Sequence, residues 1–347
     1  MSEGTTMKAM VRTKFGAPDQ VLQYEEVEKP VPNETRGVLV KIVASSINPA
    51  DRYDVVASLM MRLIARNGLR APRDPKVGTD VAGIVEAVSS NVTQFKPGDE
   101  VFGAAPGAYA EYAIAREDRL VIKPANCSFE EAGAIGIAAT TALQALRDKG
   151  GLQPGQKALV NGAGGGVGTF AVQIAKALGA EVTAVTSTGN LEMMHTLGAD
   201  HVIDYTKEDF TKNGQGYDVI CDIAGTHSIT DYRRSLNPGG RFVLVGVHGR
   251  LFLRLIYYLL LGKLSRGKKF TFFVAKLNQP DFLFLKDLIE RGRLKPVVDQ
   301  TYPLGQTSEA MKRLGEGKAR GKLVIKMGGT TGTPLAAEAK KSIPIAA

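Results

Sequence analysis

The sequence predicts an α/β protein with a doubly wound parallel sheet and a second, mostly antiparallel barrel domain. Three features predict it: a glycine-rich turn between an apolar strand and a helix, further apolar strands that alternate with helices, and short β-rich runs before residue 125. Continuous apolar strands that alternate with helices are typical of a parallel sheet covered on both faces. A chain of 347 residues exceeds one ordinary domain, so we expect two.

The glycine turn spans 161–168, between a strand that ends at Val160 and an amphipathic helix that runs to Leu178. Such a turn lets the backbone approach a pyrophosphate and directs a helix N-terminus at its negative charge. Ala163 stands where the strict dinucleotide fingerprint has its first glycine, whereas Gly165 and Gly168 match its last two positions. An ordinary tight turn before a helix is the alternative interpretation.

The strands that follow the turn strengthen the nucleotide-binding interpretation. They are predicted at 181–185, 201–205, 217–222 and 241–246, with helical patterns at 191–197 and 228–236 between them. This succession predicts a Rossmann domain. Residues 186–190, where NAD-binding chains carry a carboxylate, contain Ser and Thr hydroxyls instead, which favours NADPH. A Ser or Thr that caps the next helix is the alternative.

The first part of the chain predicts the barrel. Residues 7–125 contain short β-rich runs separated by Pro, Gly and Asp, and Pro97–Gly98 marks a turn between two strands. The runs include 37–44, 81–88 and 109–114, and helical patterns follow at 132–143 and 281–291. The small-residue tail 328–347 is predicted to be disordered.

Composition and charge narrow the functional classes. The net charge is +9, but the basic residues are scattered and form no nucleic-acid-binding motif, so we predict no nucleic-acid partner. The charge suits an anionic ligand or an anionic membrane surface. Cys127 and Cys221 are too few and too far apart for a disulfide framework, and the N-terminus has no apolar signal core. We therefore predict a cytoplasmic protein.

An ordered series of motifs carries a resemblance to a known family. The motifs are SSINPAD (45–51), GTDVAG (78–83), KPGDEV (96–101), GAYAEY (107–112), AGGGVG (163–168), GADHVIDY (198–205) and GKARGK (317–322). From about residue 7 to 327 the chain resembles a medium-chain dehydrogenase/reductase of the zinc-free quinone oxidoreductase group. The resemblance implies a GroES-like catalytic domain (1–129 with 274–327), a Rossmann NADP-binding domain (130–273), a cofactor cleft between them, and a homodimer.

Zinc-dependent relatives need Cys, His or carboxylate ligands at fixed positions. Here the first ligand position corresponds to Ile47 or Asn48, and the Gly-His-Glu ligand motif becomes Gly78–Thr79–Asp80. No cysteine cluster follows residue 90, and all four histidines lie outside the barrel domain. We therefore predict no metal site.

Without a metal, hydrogen-bond donors must activate the hydride acceptor. We predict NADPH-dependent reduction of quinones or α,β-unsaturated carbonyls. The alternatives are a zinc-free alcohol or carbonyl oxidoreductase and a membrane-peripheral NADPH-binding protein of low turnover. The resemblance puts Asn48 near the nicotinamide ribose and substrate, and makes the Tyr53 hydroxyl a proton donor to the substrate carbonyl. An Asn-Pro turn and a barrel-edge aromatic are the structural alternatives.

The resemblance also implies the cofactor contacts. They are Gly165, Gly166 and Val167 at the pyrophosphate, Ser187 and Tyr205 at the 2′-phosphate, Thr140 and the backbone of Phe273 at the nicotinamide, Val245, Gly246 and Val247 along the cleft, and Lys318 and Arg320 at the phosphates. Gly189 stands where many NADPH-using relatives have Lys or Arg, so NADH stays open as the cofactor.

A basic, apolar segment at 250–266 follows the fifth strand of the predicted Rossmann sheet. It is too short and too interrupted to span a bilayer, which takes about 20 apolar residues. We predict a helix that covers an apolar substrate pocket. The second interpretation is a peripheral contact with anionic lipid, and the third is a dimer contact.

Overall fold

The structure is a computed structural model that describes residues 6–32, 37–57, 71–246 and 267–328. Val247, the segment 250–266 and the predicted tail from 329 onward lie outside these residues. Within the described ranges, no helix has both the length and the apolar character that crossing a bilayer requires.

The first lobe is a strongly curved, mostly antiparallel sheet with short helices. Its strands are β1 (Thr6–Arg12), β2 (Leu22–Glu28), β3 (Gly37–Ser46), β4 (Asp80–Val88), β5 (Glu100–Ala104), β6 (Tyr112–Arg116) and β7 (Leu120–Ile122), and its helices are α1 (Pro18–Val21) and α2 (Pro49–Val56). β1 and β2 form a separate antiparallel pair, whereas β3 joins β4 and β6. Alternate residues of β3, such as Val38, Val40 and Ile42, face a common apolar core.

The second lobe is a six-stranded parallel sheet. Helices α3 (Phe129–Gly133) and α4 (Gly136–Leu143) and a π-helix (Gln144–Lys149) lead into β8 (Lys157–Asn161), α5 (Gly166–Ala177), β9 (Glu181–Thr186), α6 (Leu191–Thr196), β10 (His201–Asp204), β11 (Tyr217–Asp222), α7 (Ile229–Ser235), β12 (Leu236–Val245) and β13 (Lys269–Phe273). The strand order β10-β9-β8-β11-β12-β13 is that of the Rossmann fold. Val160 packs on the face covered by α5, and Leu159 packs on the face covered by α7.

The chain then returns to the first lobe. Helix α8 (Gln279–Glu290), strand β14 (Val298–Pro303), helix α9 (Thr307–Gly315) and strand β15 (Lys322–Lys326) complete the description. β15 pairs antiparallel with β3, so residues from the end of the chain close the barrel sheet. The backbone N–H of Gly321 donates to Gly164 O at 3.0 Å, which joins the return segment to the glycine turn. The predicted antiparallel barrel and doubly wound sheet are confirmed.

Candidate active site

The glycine turn connects β8 to α5 through two glycines that the geometry requires. Gly162 has φ +89°, so it supplies the left-handed turn despite Ala163 at the fingerprint position. A Cβ on Gly168 would lie 2.3 Å from Gly162 O, because the helix packs directly on the turn. Gly165 has more space, because the described atom nearest to a Cβ at this position would be Gly162 O, at 3.8 Å. The turn is therefore closed at Gly168 and open at Gly165.

The open side of the turn fits the phosphates of a dinucleotide. Gly165 is the N-cap of α5, whose first turn begins with Gly166 and Val167, and no described side chain caps this helix. Its N–H groups and dipole favour an anion at this end. Six buried side-chain polar atoms have no hydrogen-bond partner among the described residues, and they include Thr140 Oγ1 and Asn190 Oδ1. Asn190 borders the turn, since a Cβ on Gly164 would be 2.4 Å from its Nδ2. Because unpaired buried polar atoms are rare, Asn190 Oδ1 beside the turn fits a donor group of a ligand bound there.

The carboxyl ends of β9 and β10 bring Ser187 and Tyr205 together, because the Tyr205 N–H donates to Thr186 O at 3.0 Å. Arg320 reaches the same place from the return segment. Its guanidinium lies 2.7 Å from where a Cβ on Gly189 would be. Thr188 is committed elsewhere, since its hydroxyl donates to Asp204 Oδ2 at 2.6 Å.

The other predicted cofactor residues are spread along the sheet edge. Val245 is buried at the end of β12, Gly246 follows it with φ +81°, and Phe273 ends β13. Lys318 is exposed and forms an ion pair with Glu316 at 2.9 Å. The predicted contact of Val247 lies outside the described residues.

Asn48 lies in the barrel lobe as the N-cap of α2 and is only 1% exposed. Its amide nitrogen donates to Asp80 Oδ2 at 2.8 Å and to Ser46 O at 3.3 Å. Its carbonyl oxygen accepts from Lys322 Nζ at 2.5 Å. Both amide protons are therefore used inside the protein, and the second lone pair of Oδ1 is what Asn48 offers a ligand.

Asp51 and Tyr109 form a second buried pair beside this group. The Tyr109 hydroxyl donates to Asp51 Oδ2 at 2.8 Å, the Asn48 backbone N–H at 2.9 Å to the same oxygen, and Thr79 Oγ1 to Asp51 Oδ1 at 3.1 Å. Burial, followed by the nearby charge of Asp80, raises the pKa of Asp51 to about 6. Burial also raises the pKa of Tyr109, so its hydroxyl stays protonated.

Tyr53 lies one turn into α2 and is partly buried. Burial raises the pKa of its hydroxyl above the ordinary value of 10. A neutral phenol of this kind donates a hydrogen bond and keeps its proton at neutral pH.

Sequence reasoning missed the charged members of this group as site residues. Asp80 is fully buried, and Lys322 is 3% exposed with Nζ 3.6 Å from Asp80 Oδ2. The available signal was a charged residue directly before an apolar run, as Asp80 precedes Val81–Ala82 in β4 and Lys322 precedes Leu323–Ile325 in β15. Buried charges are rarely found unpaired, so Asp80 and Lys322 each implied a charged or polar partner. The sequence pattern did not indicate which residue that partner is.

Two family models match the chain. The alcohol dehydrogenase GroES-like domain matches residues 34–125, and the zinc-binding dehydrogenase model matches residues 197–325. The second description names a metal. Among the described residues, however, no three His, Cys, Asp or Glu side chains are grouped so as to hold one.

Curated relatives match nearly the whole chain. Quinone oxidoreductase of Sus scrofa is 31% identical, covering 94% of this chain and 99% of the relative. The chain belongs to the quinone oxidoreductase group of the medium-chain dehydrogenases/reductases. The 2-methylene-furan-3-one reductase of Solanum lycopersicum is 34% identical (92% and 79% covered), and the mitochondrial NAD(P)H oxidoreductase RTN4IP1 of Mus musculus is 30% identical (93% and 90%). This medium-chain reductase is accordingly an NAD(P)H-dependent oxidoreductase.

Proposed function

We propose that this reductase uses NADPH to reduce quinones or α,β-unsaturated carbonyls without a metal. One observation carries the proposal. The return segment brings the phosphate-binding turn against the barrel network, with Gly321 on the turn and Lys322 on Asn48. A dinucleotide held at the turn would therefore extend toward Asn48 and α2. The relatives named for quinone and enone reduction support the substrate class.

The charges at the family's metal position support a reaction that does not use zinc. Asp80 and the carbonyl oxygen of Asn48 both face the Lys322 ammonium, at 3.6 and 2.5 Å. A divalent cation bound by these oxygens would stand beside a positive charge, which is unfavourable in a buried site. Neutral donors must then stabilise the negative charge on the substrate oxygen.

Bound NADPH supplies the hydride. We assign the proton to Tyr53, whose neutral hydroxyl would donate to the substrate oxygen as negative charge develops there. Asn48 Oδ1 would accept a hydrogen bond from a hydroxyl of the nicotinamide ribose when the cofactor is bound, through the lone pair that Lys322 does not use. The contacts of Thr140, Val245, Gly246 and Phe273 stay predictions of the same kind.

Parallel assays of NADPH oxidation with a quinone, an enone and a simple aldehyde test the function. We expect oxidation with the quinone or enone, little with the aldehyde, and the same rates after treatment with a strong chelator. Turnover of the aldehyde alone would favour the carbonyl oxidoreductase instead. Loss of activity on chelation, restored by zinc, would contradict the metal-free mechanism.

We assign the preference for NADPH to Arg320. Its guanidinium occupies the space beside Gly189 and supplies the cation that this position lacks. Arg320→Ala should lower the ratio of kcat/KM for NADPH over NADH by about thirtyfold, the usual effect of losing a hydrogen bond to a charged group. Arg291→Ala, which removes an exposed arginine at the C-cap of α8, serves as the control. Adding Gly189→Arg to Arg320→Ala should restore the ratio. An unchanged ratio in Arg320→Ala would contradict the assignment.

A homodimer is the assembly we propose. β13 ends the parallel sheet among the described strands, and Val274 beyond it is 75% exposed. An unpaired strand edge suits pairing with a second copy. Sedimentation velocity tests this, and a monomer at micromolar concentration would contradict it. The membrane contact of 250–266 and the cytoplasmic location stay predictions.

A further inference from the structure

Lys322 contacts both sides of the cleft. On the nucleotide side, its stem lies against the first residue of α5, because a Cβ on Gly166 would be 2.9 Å from Lys322 Cδ. The preceding residue, Gly321, forms a parallel bridge with Gly165 and donates to Gly164 O at 3.0 Å. The start of β15 is thus seated on the turn that we assign to the pyrophosphate.

The other end of the side chain is fixed in the barrel. Lys322 Nζ donates to Asn48 Oδ1 at 2.5 Å and to Ile47 O at 3.3 Å, and lies 3.6 Å from Asp80 Oδ2. These groups belong to the end of β3, the start of α2 and the start of β4. One buried side chain therefore spans the distance between the phosphate turn and the barrel wall.

The barrel end of this connection is well anchored. Asp80 also accepts from Ser46 Oγ at 2.6 Å and from the Ile137 backbone N–H at 2.7 Å, so both carboxylate oxygens are held. Burial lowers the pKa of Lys322, and the charges of Asp80 and Asp51 oppose that effect. Hydrogen-bonded charges in a low-dielectric interior are directional and resist displacement.

We propose that Lys322 is a positioning residue that sets the spacing between the cofactor turn and the substrate side of the cleft. The inference rests on the proposed hydride transfer. That reaction needs its atoms about 3–3.5 Å apart, and a shift of about 1 Å costs on the order of a hundredfold in rate. Lys322 acts through Gly166 on one side and through Asn48 and Asp80 on the other.

Lys322→Met tests the proposal because it keeps most of the stem and removes the ammonium. We expect kcat with a quinone to fall about tenfold or more, while the Kd for NADPH changes less than about threefold. The kinetic isotope effect on kcat with NADPH deuterated at the transferred position should increase, since hydride transfer becomes slower. Lys326→Met is the control, because Lys326 lies on the same strand but is exposed and pairs with Glu130.

A second measurement needs no turnover. In the free protein, the amide of Gly321 should exchange with solvent faster in Lys322→Met than in the wild type or Lys326→Met. Unchanged kcat and exchange, or equal losses of kcat and NADPH affinity, would overturn the proposal. If Lys322→Met does not fold, Asp80→Asn/Lys322→Met removes both charges and is compared with Asp80→Asn in the same assays. A wild type that oxidises no NADPH would refute the proposed function, whereas the exchange result would still decide this inference.

Discussion

The glycine turn and the barrel network differ in how far their polar groups are already paired within the protein. The phosphate turn is made of backbone, and it leaves an uncapped helix end and open space at Gly165. The barrel wall is made of side chains, and Asn48, Asp80 and Lys322 satisfy one another almost completely. The difference supports the two roles proposed above: the turn would gain a ligand, and the network would hold its shape opposite that ligand.

This contrast predicts that damage to the network costs stability first. Asp80→Ala leaves a buried ammonium and the Asn48 amide without their shared acceptor. Breaking one side of a buried ion pair costs about 3–5 kcal/mol, so we expect the free energy of unfolding in urea to fall by about 4 kcal/mol. Asp118→Ala removes an exposed carboxylate whose partner Arg116 is exposed as well, and it provides a comparison for charge loss outside the network. Equal losses of unfolding free energy in both variants would contradict a particular contribution of the network to stability.

On the turn, two glycines should separate stability from binding. Gly168→Ala forces a methyl group against Gly162 O, so we expect a loss of about 3 kcal/mol in the free energy of unfolding. In Gly165→Ala the nearest described atom to the new Cβ is Gly162 O at 3.8 Å, so the variant should unfold nearly as the wild type does, yet bind NADPH more weakly. Thermal unfolding and titration calorimetry measure the two effects. Normal NADPH affinity in Gly165→Ala would contradict our assignment of the pyrophosphate to the Gly165 side of the turn.

The contrast between the turn and the network also explains which parts of the structure could be predicted from the sequence. The turn and the strands around it were predictable because each lies within a few consecutive residues with a fixed period. Gly162, Gly165 and Gly168 act on their immediate neighbours, so their spacing contains the information. Five of the six parallel strands followed from the same local patterns.

The network could not be predicted in this way. Lys322 contacts Asn48 across 274 positions, and Tyr109 contacts Asp51 across 58. Nothing in a local pattern states which buried charge meets which partner. Arg320 was expected at the phosphates from the family resemblance, and no local pattern places it beside Gly189. The hydroxyls of segment 186–190 favoured NADPH, but the Thr188 hydroxyl donates to Asp204. The cation beside Gly189 comes from the other lobe.

The smallest expected effect concerns the proton on Asp51. Because its pKa rises from 3.8 to about 6 on folding, the folded protein binds this proton more tightly than the unfolded chain does. The resulting stabilisation is complete below the unfolded pKa and is lost as the pH rises through the folded pKa. Asp51→Asn keeps an acceptor for Tyr109 and does not titrate. Between pH 4 and 6 the wild type should lose about 2 kcal/mol more stability than Asp51→Asn. The free energies of unfolding of both proteins are measured in urea at several pH values across this range. If stability changed equally with pH in the two proteins, the raised pKa of Asp51 would be contradicted.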